Sequence, residues 1–292
     1  HKAGFVNIVG NPNVGKSTLM NQLVGEKLSI ATFKAQTTRH RIMGIVNTED
    51  SQIVFSDTPG VLKPNYKMQE MMLQFSESAL ADADILLYVT DVIEDPEKNM
   101  DFLEKVAKMS IPVILLINKI DESDQKKLGD LVTKWHGLLP NAEILPISAK
   151  NKFGTDILLK RVHELLPESP AFFDKDQLTD KPAKFFVSEI IREKILRYYD
   201  KEIPYSVEVV VESFKEDDRQ IHINAVIYVE RNSQKGIIIG HQGMALKKVS
   251  TEARKSLERF FDKKIFLETF VKVDKDWRNS QKELNNFGYN PE

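Results

Sequence analysis

Cysteine is absent from the 292 residues, which excludes disulfides, thiolate chemistry and cysteine-ligated zinc. No run of about 18 apolar residues occurs, so no segment is expected to cross a bilayer as a helix. The opening stretch HKAGFVNIVG has no charged leader, long apolar core or small-residue cleavage pattern. No targeting signal is expected from it, and His1 in first position suggests a trimmed start. Neither sign of charge dominates, with 41 Lys+Arg against 43 Asp+Glu and a net charge of -2. Residues 180–292 carry 21 basic against 19 acidic side chains, leaving 20 against 24 in residues 1–179. So small an asymmetry is weak evidence for nucleic acid. There is no internal repeat and no low-complexity tract, and His136, His163 and His222 are spaced for neither a metal site nor a catalytic triad.

What is present is an ordinary soluble balance, 29% charged and 41% hydrophobic, over a length that suits two domains. From residue 4 to about 166, apolar runs (GFVNIVG, IVFSD, ILLYVTD, VILLINK, ILPIS) alternate with helical patterns. Buried runs separated by helices predict a doubly wound, mostly parallel α/β sheet. PESPAFFDKDQLTDKP then breaks the pattern with three prolines and several acids, the profile of a linker. The division expected is a first domain over 1–168, a linker over 169–182 and a second domain over 183–292. The second shows a helix, two alternating strands, two helical segments and a strand, a small α+β domain.

GNPNVGKS, residues 10–17, satisfies G-x-x-x-x-G-K-[ST] between a predicted strand and a predicted helix. In such a loop the backbone of Gly10, Asn11, Pro12, Asn13, Val14 and Gly15 wraps phosphate oxygens, its N–H groups turned toward them at a helix N-terminus. Lys16 would reach the terminal phosphates. Ser17 would ligate Mg2+, with Thr18 following, and Asp57 at the end of IVFSD would hold the same ion.

The base is indicated by Asn118, Lys119 and Asp121 in INKID, at the ligand edge of the sheet. Guanine offers two adjacent N–H donors that one carboxylate accepts together, whereas adenine presents a lone pair there. Asn118 is expected to tie the phosphate loop to this segment and the Lys119 stem to lie along the base. Ser148, Ala149 and Lys150 would complete the pocket, with the Ala149 N–H facing the guanine carbonyl. Either stretch alone is also a reasonable turn. In order after the phosphate loop they indicate GTP and GDP.

Two stretches are expected to sense the third phosphate. In ATFKAQTTRHR, Thr38 would offer a hydroxyl to Mg2+ and a carbonyl to the attacking water. In Asp57-Thr58-Pro59-Gly60 the Gly60 N–H would meet the γ-phosphate. Many GTPases place a water-orienting glutamine just after this glycine; here Val61 stands there, so slow intrinsic turnover is expected. Lys16, Thr38, Gly60 and Asn13 are the candidates for catalytic contact, Asn13 as a ligand for K+ that substitutes for an arginine finger. Asn13 as a loop-stabilising turn residue is an equally good account.

The second domain contains VIYVERNSQKGIIIGHQGMALKKV. Gly240-His241-Gln242-Gly243 forms a G-x-x-G turn near Arg231, Lys235, Gly236, Lys247 and Lys248. Two glycines let a nucleic-acid backbone approach, as in KH recognition of about four single-stranded bases. The run Ile237, Ile238, Ile239 is expected to floor the groove. The inner turn positions, often partly basic in KH domains, are here His241 and Gln242, and an unperturbed histidine is mostly neutral at pH 7. ALKKVSTEARKSLERFF is amphipathic, and is read as a core-packed helix rather than a membrane-surface one.

GNPNVGKS, AQTTRHR, DTPG, NKID and SAK, then DQLTDKP, SEIIREKIL, VERNSQKGIIIGHQG and VKVDKDWR, make the chain resemble the bacterial Era-type GTPases over essentially its whole length. The resemblance implies a Ras-like G domain and a C-terminal type II KH domain (α-β-β-α-α-β). It also implies a GTP-regulated factor for small ribosomal subunit assembly, acting as a monomer without a DNA partner. The KH domain would bind small-subunit ribosomal RNA near its 3′ end. Such proteins are cytoplasmic and can associate peripherally with the inner membrane. Two alternatives stay open. One is an RNA-binding assembly module that keeps nucleotide as a structural ligand. The other is a tRNA-modifying or membrane-acting GTPase, against which the absence of a cysteine-bearing tail weighs.

Overall fold

The apolar runs of the first half become a six-stranded sheet: β1 (Lys2–Gly10), β2 (Ile42–Asn47), β3 (Ser51–Asp57), β4 (Ile85–Asp91), β5 (Val113–Asn118) and β6 (Glu143–Pro146). Their order is β2-β3-β1-β4-β5-β6, with only β2 antiparallel. β3 and β4 are buried at every position, which is why they read as continuous apolar runs rather than alternating ones. The intervening helices are α1 (Lys16–Val24), α2 (Lys67–Ala81), α3 (Met100–Ala107), α4 (Gln125–Leu138) and α5 (Thr155–Leu165). Leu86, Tyr88, Leu115 and Ile117 of the sheet pack with Phe102 and Leu103 of α3 and Trp135 of α4. Trp135 is fully buried against Tyr88, so its truncation to alanine would cost about 3–5 kcal/mol.

The computed structural model describes residues 1–291, in two units. One comprises His1–Asn65 and Gln69–Asp180 with Pro291, the other Tyr66–Met68 and Lys181–Asn290. Much of the stretch expected as linker is a strap on the six-stranded unit. Ser169 N–H donates to His1 O, Phe172 and Phe173 N–H groups both donate to Gln52 Oε1, and Ile45 N–H donates to Leu178 O. Its prolines keep it from forming a helix, and backbone and side-chain groups of the six-stranded unit satisfy its backbone instead.

The second unit contains α6 (Ala183–Tyr198), the single-turn α7 (Ile203–Ser206), β7 (Glu208–Glu216), β8 (Gln220–Val229), α8 (Asn232–Ile239), α9 (Met244–Phe261), β9 (Lys264–Val273) and α10 (Gln281–Asn286). Its sheet runs β7-β8-β9, antiparallel then parallel. Alternate residues of β8 (Ile221, Ile223, Ala225, Ile227, Val229) enter one core with Val187, Ile191 and Ile195 of α6. Val249, Ala253 and Leu257 of α9 complete it at helical spacing. The amphipathic α9 is therefore a core-packed helix. Past β9, Trp277 donates to Ser206 O and Tyr289 to Glu208, so α7, α10 and their flanks extend the expected α-β-β-α-α-β order.

Candidate functional site

β1, β3, β4 and β5 end at the same edge, with Ile8 beside Asp57 and Asp91 beside Asn118. This carboxyl edge carries the phosphate loop. Gly15 precedes α1 at φ +96°, and a Cβ there would lie 2.2 Å from Asn118 Nδ2, so only glycine lets the loop turn into the helix against its neighbour. Lys16 is buried, its Nζ donating to Asn11 O at 2.6 Å. Desolvation pulls its pKa down to about 8, against the opposing pull of Asp57 and Glu94.

Ser17 Oγ lies 2.8 Å from both Thr38 Oγ1 and Asp57 Oδ2. Burial pushes the Asp57 carboxyl above its ordinary value, and its Oδ1 has no hydrogen-bond partner among the described residues. Two hydroxyls, a buried carboxylate with an unused oxygen and a buried ammonium beside a helix N-terminus suit a divalent cation held with a polyphosphate. Thr38, 19 residues before Asp57 in the chain, joins this cluster, its Oγ1 3.5 Å from Asp57 Oδ2.

The other expected phosphate-side residues divide by role. Thr58 Oγ1 donates to Ile8 O at 2.7 Å and Pro59 O accepts from Ser76 at 2.7 Å, so both brace the strand end. Gly60 abuts the phosphate loop, where a Cβ would meet Pro12 Cα at 2.7 Å. Val61 turns its side chain into the core with Val9, Tyr88 and Phe102, away from the phosphate loop. Asn13 is exposed with φ +64°, and its carbonyl accepts from Lys119 Nζ at 2.6 Å.

Asn118 behaves as expected: its Nδ2 donates to Val14 O at 2.8 Å, coupling the phosphate loop to β5. Lys119 also meets Asp91 at 2.8 Å. Asp121 receives Ser148 Oγ at 2.7 Å and stays exposed at the mouth of a cavity of about 300 Å³ that Thr18, Lys119 and Lys150 also line. The buried Ala149 N–H, expected at the guanine carbonyl, donates to Asn118 Oδ1 at 3.0 Å, which gives a buried amide an acceptor.

Three residues escaped sequence reasoning. Phe33, 96% exposed, lines the same cavity; its signal was a lone aromatic in a polar stretch. Glu94 and Asn99 reach the phosphate loop through Asn11, and nothing in their spacing reveals it.

In the second unit, Gly240 ends α8 at φ +74°, Gln242 adopts φ +50°, and Gly243 leads into α9. His241 and Gln242 stand exposed at the tip, with Met244 and Lys247 beside them. Lys248 Nζ lies 4.5 Å from the Tyr198 ring centre, a cation–π contact that orients it. Ile237 and Ile239 retain exposed surface, but Ile238 is fully buried in the core. The three-isoleucine run is therefore not one continuous floor, since helical positions about 100° apart set Ile237 and Ile239 about 160° from each other around α8. Lys235 and Gly236 lie along α8. Arg231, at its start, is separated from Gly240 by the whole helix, about 12 Å. It lines a separate groove with Glu230, Val273 and Lys275.

A family model described as 50S ribosome-binding GTPase matches residues 5–119, and one described as KH domain matches residues 202–278. GTPase Era of Clostridium kluyveri is 44% identical over 290 residues, 99% of each chain. GTPase Era of Geobacter sp. strain M21 is 46% identical, covering 99% of this chain and 98% of its own. A crystal structure of Era with MgGDPNP and nucleotides 1506–1542 of 16S ribosomal RNA superposes with a TM-score of 0.94 at 37% identity over 99% of both chains. A single-residue variant of Aquifex aeolicus Era bound to GDP and aluminium tetrafluoride gives the same TM-score of 0.94. At 44% and 46% identity over 99% of its length to these relatives, the chain belongs to the Era family of GTPases.

Proposed function

We propose that the protein is a GTP-hydrolysing switch that binds the 3′ end of small-subunit ribosomal RNA through its KH domain and acts in small-subunit assembly. The observation that carries the catalytic half is the meeting of Ser17, Thr38 and Asp57 above a buried Lys16. The RNA half is supported by the His241–Gln242 tip and by the 99% coverage of the Era complex with 16S ribosomal RNA.

Each residue then has a physical task. Lys16 attracts the terminal phosphates, and the phosphate loop amides orient them. Ser17, Thr38 and Asp57 would hold Mg2+, which would supply positive charge to the phosphates. Gly60 offers its N–H to the γ-phosphate, and the Thr38 carbonyl aligns the water. Asp121 accepts both guanine donors while Ser148 fixes its carboxylate. Val61 offers water no hydrogen bond, so turnover without a partner is slow. Asn13, exposed in the loop, would offer its side-chain oxygen to K+, which would supply positive charge near the phosphates. Rates in potassium and sodium, with and without Asn13→Ala, test that role: equal rates in the two salts reject it.

RNA affinity should depend on the nucleotide. Anisotropy of a labelled 3′-end ribosomal RNA fragment, with GDP and with a non-hydrolysable GTP analogue, tests the coupling. Equal affinities sink it, and absence of phosphate release in the presence of RNA favours nucleotide as a structural ligand.

A further inference from the structure

We propose that Asn99 is a positioning residue for GTP hydrolysis, fastening the Gly60–Val61 junction to the phosphate loop through its side-chain amide. The inference rests on the GTPase reading above.

Val61 is held on both sides. Its N–H donates to Gly10 O at 3.0 Å, and its carbonyl accepts from Asn99 Nδ2 at 3.0 Å. Asn99 Nδ2 also donates to Asn11 Oδ1. Asn11 in turn donates through Nδ2 to Glu94 Oε2 at 2.9 Å, and Glu94 Oε1 accepts from Thr90 Oγ1 at 2.6 Å.

The relay has a direction. An ionised carboxylate only accepts, so Glu94 turns the Asn11 amide nitrogen toward itself and the Asn11 oxygen toward Asn99. Asn99 must then present its nitrogen, and the two hydrogens on that nitrogen are shared between Asn11 and Val61. Asn11 carries a further link, because its main-chain carbonyl receives Lys16 Nζ at 2.6 Å. One side chain thus joins the residue that grips the phosphate-loop lysine to the residue following Gly60.

Gly60 lies between these fastenings with Pro12 against it. A donor fixed before its ligand arrives costs little reorganisation during reaction. When the Val61 carbonyl is released, the Gly60 N–H must be ordered by the γ-phosphate itself. GTP bears that cost and GDP does not.

The test uses the full-length protein with Asn99→Ala and the isosteric Asn99→Asp, which keeps the volume but cannot donate when ionised. We expect both to lower kcat about 10-fold, and to weaken a GTP analogue several-fold relative to GDP, with KM for GTP rising in step because slow chemistry makes KM track GTP affinity. GDP affinity and Tm should stay near wild type, showing that the variants fold. Asn11→Ala combined with Asn99→Ala should lose little more than the larger single effect, as members of one relay do. Wild-type kcat and nucleotide discrimination in Asn99→Asp, or multiplicative losses in the double variant, would overturn the proposal. Wild-type protein without GTP hydrolysis would overturn the parent reading instead.

Discussion

Ser17 Oγ donates to Asp57 Oδ2 at 2.8 Å across 40 residues of chain. This bond joins the first turn of α1 to the end of β3, and Thr38 closes on the same hydroxyl. Ser17→Ala should therefore weaken Mg2+-dependent nucleotide binding about 10-fold or more, equivalent to about 1.4 kcal/mol. Fluorescent GDP titrations with Mg2+ and with a chelator should show the metal dependence shrinking in the variant. An unchanged dependence would remove Ser17 from the metal site.

Asp121 offers the base pocket an exposed carboxylate fixed by Ser148. Asp121→Asn replaces one acceptor oxygen with a donor, which suits xanthine, whose C2 position carries a carbonyl. GTP affinity should fall about 100-fold, as expected from losing charge-assisted hydrogen bonds of roughly 1.5–3 kcal/mol each, while XTP affinity rises. Competition binding with both nucleotides checks the reversal.

Val61 packs with Val9, Tyr88 and Phe102. Val61→Gln should not accelerate hydrolysis, because its backbone aims position 61 at the core rather than at the phosphates. Burying the amide there should cost about 1–3 kcal/mol. A fall in Tm with kcat at or below wild type is the expected pair of results; a faster enzyme would show that the side chain swings outward in the GTP state.

His241 and Gln242 stand at the G-x-x-G tip. His241→Asp with Gln242→Asp places two negative charges where an RNA backbone approaches, so RNA affinity should drop by at least about 10-fold. Intrinsic GTP hydrolysis should be unchanged. Retained RNA affinity would move the binding surface elsewhere on the domain.

Burial raises the Glu94 carboxyl above its ordinary value, against the hydrogen bonds from Thr90 and Asn11; Asp91 raises it further and Lys98 opposes this. A folded pKa above the unfolded one contributes stability that is present below the unfolded pKa and lost as pH rises through the folded pKa. Glu94→Gln has no such titration. The variant's Tm minus the wild type's should therefore increase from about pH 4.5 toward neutrality, measured by thermal melts in matched buffers. A difference independent of pH would show that the shift is absent.

Much of the site was legible because its chemistry is local. GNPNVGKS dictates a loop on a helix N-terminus, and INKID ends a buried strand at the ligand edge. Side-chain direction was less legible. Ile238 reads as groove floor until its helical phase sends it to the core, and nothing in the spacing of Ala149 reveals that its amide reaches Asn118. Pro167, Pro170 and Pro182 mark the end of regular structure, but not that Gln52 and β2 satisfy the intervening backbone.

The sequence by itself determined the phosphate loop, the preference for guanine and the α-β-β-α-α-β order of the second unit, since each follows from residue type and spacing along a short stretch. Only the tertiary structure decided that Val61 faces inward. It also decided that Asn99 ties Val61 to Asn11. These relations join residues from different strand ends, and strand order and register bring them together.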